Sequence, residues 1–181
     1  MAAGGARDRQ ADRAAFLRIY EEYGPALARL AGAYAASRQD REDLVQEIAI
    51  ALWRALPAYR GDASRRTWLY RIAHNVAISA SVKRRHRERR EGAHDNLPEV
   101  ASAAAGAEQD LLAEEMREAL LAAIRALPAA DRQITVLHLE GLGGAEIASV
   151  TGIHEGAVAT RLTRIRQKLR QAVRAREMGN A

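Results

Sequence analysis

The residue types that most often do chemistry are scattered in this chain. Five histidines, His74, His86, His94, His138 and His154, form neither an HExxH motif nor a close pair, so a metal site has no framework. Surface or capping roles are expected of each. Gly141-Leu-Gly-Gly144 is glycine-rich, but no strand pattern precedes it and no Lys-Ser/Thr follows, which reads as a turn and not a phosphate cradle. Ser64 and Ser79 lack the G-x-S-x-G surroundings of a nucleophile elbow. Asp43 and Glu47 stand one helical turn apart, like any solvated pair of carboxylates. Cysteine is absent, which excludes thiolate catalysis, thiolate metal sites and disulfides together. No catalytic constellation, metal site or cofactor is expected.

Cations, in contrast, are organised. The 181 residues carry a formal net charge of +5, with +4 in residues 83–91, +7 in residues 161–176 and therefore −6 in the remainder. The second basic block belongs to a helix-turn-helix pattern. Helical spacing in Ala145–Thr151 is interrupted by Gly152-Ile-His154 and resumes after it. Such a crossing needs a small residue, here Ala148, a residue tolerant of positive φ, here Gly152, and an apolar anchor, here Val158. Thr160, Arg161, Thr163 and Arg164 lie off the apolar stripe, placed to reach base edges or phosphates in a major groove. A merely solvated face usually mixes signs, and this one holds seven cations and no acid. Farther upstream, Arg65–Asn75 interleaves cations with Trp68 and Tyr70 and ends on an amide. Aromatic and arginine faces stack on unpaired bases, and Asn reads a base edge. Trp68 fits a place in the core equally well. Lys83–Arg90 is set to track a phosphate backbone.

These residues must be positioned by helices. Phe16, Tyr20, Tyr23, Leu27, Leu30 and Tyr34 recur at steps of three and four, which predicts a first amphipathic helix. Val45, Ala49, Leu52 and Leu56 predict a second, stopped by Pro57. A polar loop, Tyr59–Thr67, precedes a third marked by Leu69, Ile72, Val76 and Ala80. Gly92–Gln109 is too poor in large apolar side chains to bury and reads as a linker. Beyond it, Leu112, Met116, Leu120, Ala123 and Leu127 mark a helix ended by Pro128, Ile134 and Leu137 a short one, and Val158, Leu162, Ile165, Leu169 and Val173 a final one. The expected fold is all-α: a helical bundle at residues 10–91 and a helix-turn-helix domain at 110–176, joined by a flexible tether at 92–109. No apolar run reaches the roughly 18 residues of a bilayer span, and the residues after Met1 lack the apolar core of a signal peptide. A cytoplasmic location is expected.

Together these segments resemble a bacterial sigma factor of the extracytoplasmic-function (ECF) group of the sigma-70 family, the minimal kind with only the second and fourth regions. The similarity covers Phe16–Arg90 and Leu111–Arg174. Asp43-Leu-Val-Gln-Glu47 and Ala51-Leu-Trp-Arg-Ala-Leu56 are similar to the helix that docks on the clamp helices of the polymerase largest subunit. Tyr59-Arg-Gly-Asp-Ala-Ser64 and Thr67–Asn75 are similar to the loop and helix that capture the melted minus-ten element. Leu127-Pro-Ala-Ala-Asp-Arg132, Glu140-Gly-Leu142, Ala145-Glu-Ile-Ala148 and Gly156–Leu162 are similar to the minus-thirty-five reader. No single piece is specific; their order and spacing are.

The resemblance implies a non-catalytic initiation factor without cofactors. Its partners are core RNA polymerase (the clamp helices and the flap of the second-largest subunit), promoter DNA and an anti-sigma factor, with no membrane insertion. Asp43, Leu44, Gln46, Glu47, Ile50, Trp53 and Arg54 are implied to meet polymerase. Tyr59, Arg60, Gly61, Asp62, Ser64, Arg65, Thr67, Trp68, Arg71, Asn75, Lys83, Arg84 and Arg85 are implied to meet the minus-ten region, with Asn75 holding a flipped base. Thr160, Arg161, Thr163, Arg164, Arg166 and Lys168 are implied to serve the minus-thirty-five element. Two departures stand out. Gly143-Gly144 replaces a polar residue and an aromatic, and Ala159 replaces an arginine that many relatives use to read a base. Looser packing before the scanning helix and a shift to apolar or shape readout are expected. The alternative is a stand-alone helix-turn-helix regulator that binds duplex DNA without polymerase.

Overall fold

A computed structural model describes residues 3–91 and 108–179. All of its elements are helical: α1 (Ala3–Tyr34), α2 (Arg38–Ala55), α3 (Arg65–Glu91), α4 (Glu108–Ala126), α5 (Ala129–Leu139), α6 (Gly144–Thr151) and α7 (Glu155–Gly179), with a 3₁₀ turn at Leu56–Ala58. The chain divides into two compact units, one built from α1 to α3 and the other from α4 to α7. Most of the expected linker lies outside the described residues. Its last two positions, Glu108 and Gln109, already belong to α4.

In the first unit each of the three helices packs on the other two. Leu27, Leu30, Tyr34, Ile48, Leu52, Leu69 and Tyr70 form its interior. The buried lines run beside those expected from periodicity. In α2 the larger Leu44 and Ile48 are buried while Val45 and Ala49 are half-buried, because turning the helix toward its bigger side chains removes more apolar area from water. In α1, Ile19 is buried and Tyr20 is exposed. In α3, Leu69, Tyr70, Ala73 and Ala77 are buried and Ile72, Val76 and Ala80 only half-buried. A helix with two packing partners buries a wider arc than one stripe.

Helix α3 starts three residues earlier than the polar composition suggests, at Arg65 and not after Thr67. Ser64 Oγ accepts from the Thr67 amide at 3.1 Å and donates to Thr67 Oγ1 at 2.9 Å, supplying the cap that lets Arg65 and Arg66 join the first turn. His74 corrects the expectation of a surface or capping role. Its ring is fully buried, with Nδ1 3.0 Å from the Tyr34 hydroxyl. His154 does cap, its Nδ1 accepting from the Gly156 amide at 3.2 Å at the start of α7.

In the second unit α7 packs on α4, α5 and α6. Val158 and Ile165 are buried along it, beside Ile134, Leu137 and Ile147. Gly152 adopts φ 74, and its amide closes α6 on the Ala148 carbonyl at 2.8 Å. No atom lies within 4 Å of a Cβ built there, so a substitution meets only backbone strain. Gly152→Val is therefore expected to cost about 1–3 kcal/mol, and Gly152→Asn less, because Asn tolerates the left-handed region. Thermal unfolding by circular dichroism checks both. At the Gly143-Gly144 departure, the Glu146 carboxylate accepts from the Gly143 amide at 3.0 Å, which satisfies one of the free donors of α6.

Candidate functional site

Three groups of exposed side chains emerge, two on the first unit and one on the second. Along α2, Asp43, Gln46, Glu47, Ile50, Trp53 and Arg54 recur at helical spacing, and all are exposed. Ile50 is 49% and Trp53 40% exposed, large apolar surfaces on a face that also carries Asp43, Glu47 and Arg54. Such a combination suits a protein partner, since aromatic anchors dominate interface energetics. Phe16 lies edge-on to Trp53 at a centroid distance of 5.5 Å and stacks on Tyr20 at 5.9 Å, so α1 fixes the indole. Periodicity assigned Phe16 and Tyr20 to the core and did not reveal this support. Leu44 is the exception in the set: it is only 5% exposed and packs in the interior.

The second group spans the loop and α3. Gly61 takes φ 82, and the Tyr59 hydroxyl donates to the Ala63 carbonyl at 2.8 Å, so the loop is closed by its own residues. The Tyr59 ring contacts Trp68 at 4.9 Å with a tilt of 43°. Trp68 is half-buried, which reconciles its two expected roles: one part of the indole packs and the other is presented. Trp68, Arg71 and Asn75 follow one another at steps of three and four on α3, and Arg71 and Asn75 are exposed. His74 beside Asn75 is locked into the interior, which holds the amide outward. Arg60, Asp62, Ser64 and Arg65 are exposed nearby in sequence, whereas Thr67 is buried as part of the cap. The basic run continues α3 as helix. Lys83 and Arg85 are exposed there, while Arg84 donates to the Tyr34 carbonyl at 3.0 Å and stands 3.9 Å from Asp40. Arg84 thus tethers α3 to the end of α1 as well as adding charge.

On α7, Thr160, Thr163, Arg164, Arg166 and Lys168 are exposed and Arg161 is half-buried. Thr160 and Thr163 return their hydroxyls to the Gly156 and Ala159 carbonyls, at 3.1 and 3.2 Å. Arg166 Nη2 donates to His138 Nε2 at 3.0 Å, which requires that nitrogen to carry a lone pair. The acid-free appearance of residues 161–176 holds only along the sequence. Asp131 of α5, buried, lies 3.3 Å from Arg161 and 3.8 Å from Arg164. Its sole signal was the lone acid in Leu127-Pro-Ala-Ala-Asp-Arg132, and nothing local tells that it faces α7. Among the described residues no group of three or more His, Asp or Glu gathers as metal ligands, and no helix is long and apolar enough to cross a membrane.

An all-α chain of two compact units, one with exposed aromatic and amide groups beside a basic helix end and the other a helix-turn-helix, has the organisation of a two-region promoter reader. The profile of Sigma-70 region 2 matches residues 19–88 and that of Sigma-70 region 4 matches residues 117–169. The ECF RNA polymerase sigma-E factor of Escherichia coli is 32% identical over an alignment covering 90% of this chain and 88% of the relative. The RNA polymerase sigma factor NccH of Alcaligenes xylosoxydans is likewise 32% identical, over 90% and 89%. CnrH, solved in complex with the cytosolic domain of CnrY, superposes with a TM-score of 0.64 at 25% identity, covering 92% of this chain and 94% of that one. The sigma factor RpoE of Bartonella quintana, solved with the anti-sigma factor NepR, shares the fold, with a TM-score of 0.69 at 23% identity over 88% and 96%. The chain belongs to the ECF group of the sigma-70 family, and it is a sigma factor of transcription initiation.

Proposed function

We propose that this sigma factor acts in the cytoplasm without catalysing a reaction, directing core RNA polymerase to promoters through a division of labour between its two units. The exposed face of α2, from Asp43 to Arg54, docks on the clamp helices. Its Trp53 and Ile50 supply apolar contact and its carboxylates meet basic polymerase surface. Residues from Tyr59 to Arg71, with Asn75, hold the melted minus-ten strand: Trp68 offers stacking surface and Asn75 a base-reading amide. Lys83 and Arg85 follow the phosphates. α7 enters the major groove of the minus-thirty-five element with Thr160, Thr163 and Arg164, while the flap of the second-largest subunit receives the same unit. Residues 92–109 tether the two readers, so two weak contacts act as one strong one. An anti-sigma factor that covers the polymerase-facing surfaces regulates the chain, a reading supported by the solved complex of the similar RpoE with the anti-sigma factor NepR.

The observation that carries this reading is the line of Trp68, Arg71 and Asn75 on α3, because a regulator of intact duplex has no use for a reader of unpaired bases. Run-off transcription with bacterial core polymerase on a promoter library tests it. The chain should activate a discrete subset of templates, and no activation on any template would favour a stand-alone regulator. On an activated template, Arg164→Ala is expected to weaken binding by about 1–3 kcal/mol at the upstream element, the scale of a base contact. Core binding should not change. An equal loss of core affinity would move Arg164 out of the groove.

A further inference from the structure

Asp131 lies in the first turn of α5, ahead of the helix-turn-helix, and its side chain is only 5% exposed. Burying a carboxylate is costly unless cations reach it. Two do so from α7: Arg161 Nη1 at 3.3 Å and Arg164 Nη2 at 3.8 Å, both on the same oxygen, Oδ1. They are three residues apart and so share a helix face. The N-terminal turn of α5 favours a negative charge at this place, and Thr135 Oγ1 donates to the Asp131 carbonyl at 2.7 Å, fixing the turn. The two arginine side chains nevertheless remain 37% and 58% exposed, so their outer N–H groups stay available.

Two physical consequences follow from one acid shared by two arginines. An arginine side chain loses considerable rotamer freedom when it is fixed on a ligand, and a partner that orients the guanidinium beforehand reduces that loss. The acid also cancels part of the local charge, and charge is what drives sequence-independent binding to phosphate. We infer that Asp131 is a positioning residue for duplex recognition: it orients Arg161 and Arg164 for base contact and restrains their attraction to phosphate, raising discrimination between promoter and other DNA. This rests on the placement of α7 in the major groove proposed above.

The test uses holoenzyme reconstituted from core polymerase and the full chain. Binding is measured across a KCl series on a template activated in the run-off assay and on the same template with a scrambled minus-thirty-five element. Asp131→Asn is expected to strengthen binding to the scrambled template and to lower discrimination roughly fivefold. It should also steepen the dependence of log affinity on log salt by up to about one per released arginine. In the Arg161→Ala/Arg164→Ala background the same substitution should change neither quantity. If that double variant binds the intact template normally, the groove placement fails and the inference fails with it. If the double variant weakens binding but Asp131→Asn leaves discrimination and salt slope unchanged, the inference alone is overturned. An equal weakening on both templates with an unchanged salt slope shows a merely structural role and overturns it too. Should Asp131→Asn not fold, Asp131→Glu keeps the charge but displaces it: lower discrimination with an unaltered salt slope is expected, and unaltered discrimination overturns the inference.

Discussion

Lowering the pH from 7 to 5 is expected to remove about 2 kcal/mol of stability from the first unit, through His74. The buried ring has its pKa pushed down by desolvation from 6.5 to about 3. Only Nδ1 is partnered, by the Tyr34 hydroxyl, and no protein group reaches Nε2. The unfolded chain therefore takes up a proton near pH 6.5, while the folded chain refuses it until about pH 3. Stability is level above pH 7, falls by about 1.4 kcal/mol per pH unit below 6.5 and levels again below pH 3. Both tryptophans, Trp53 and Trp68, lie in this unit, so their emission during denaturant unfolding reports on it alone. His74→Phe should flatten the profile. An acid slope that survives the substitution would trace the sensitivity to other groups.

Asn75→Ala is expected to reduce promoter opening about tenfold, the scale of a lost base-reading hydrogen bond, with closed-complex binding changed little. The amide is exposed on α3 but held by buried neighbours, Ala73, His74 and Ala77. Removing it deletes a polar contact without disturbing the core. Permanganate reactivity of thymines in the minus-ten region measures opening, and gel retardation of the same complexes measures binding. Equal losses in the two, or normal opening, would remove Asn75 from the melted strand. Exchange of Tyr34 for Phe makes an informative companion, because it leaves Asn75 in place and loosens only the anchor beneath it.

Much of this organisation is legible in the residues. Periodicity locates the helices because steps of three and four report a helix whatever it packs against, and Gly152 announces its turn because few residues tolerate its φ. Which side of each helix faces inward is less legible. In α2 the alternatives Val45/Ala49 and Leu44/Ile48 differ by one residue, and the choice is made by α1 and α3, which lie elsewhere in the chain. That single step is why Leu44 belongs to the core and Glu47 to the surface. The start of α3 was hidden in a polar segment because a capping serine looks like a loop serine. His74 was hidden for a related reason: its partner, Tyr34, lies forty residues away.

Charge shows the same division. The sequence locates the +4 and +7 clusters and the −6 remainder, but only the fold shows which cations are already engaged. Arg84 is tied to the end of α1, Arg161 and Arg164 to Asp131, and Arg166 to His138. Lys83, Arg85 and Lys168 are exposed along their helices. On α7, then, Arg161, Arg164 and Arg166 are engaged by side chains of α5, while Lys168 stands exposed.

Footprinting of an activated promoter with and without core polymerase tests the central claim most directly, that the two readers work only as part of a polymerase complex. Full-length chain at concentrations that saturate core should leave the promoter unprotected by itself. With core polymerase it should protect both elements and render the minus-ten region reactive to permanganate. Protection of the minus-thirty-five element with the same boundaries in the absence of polymerase would contradict it.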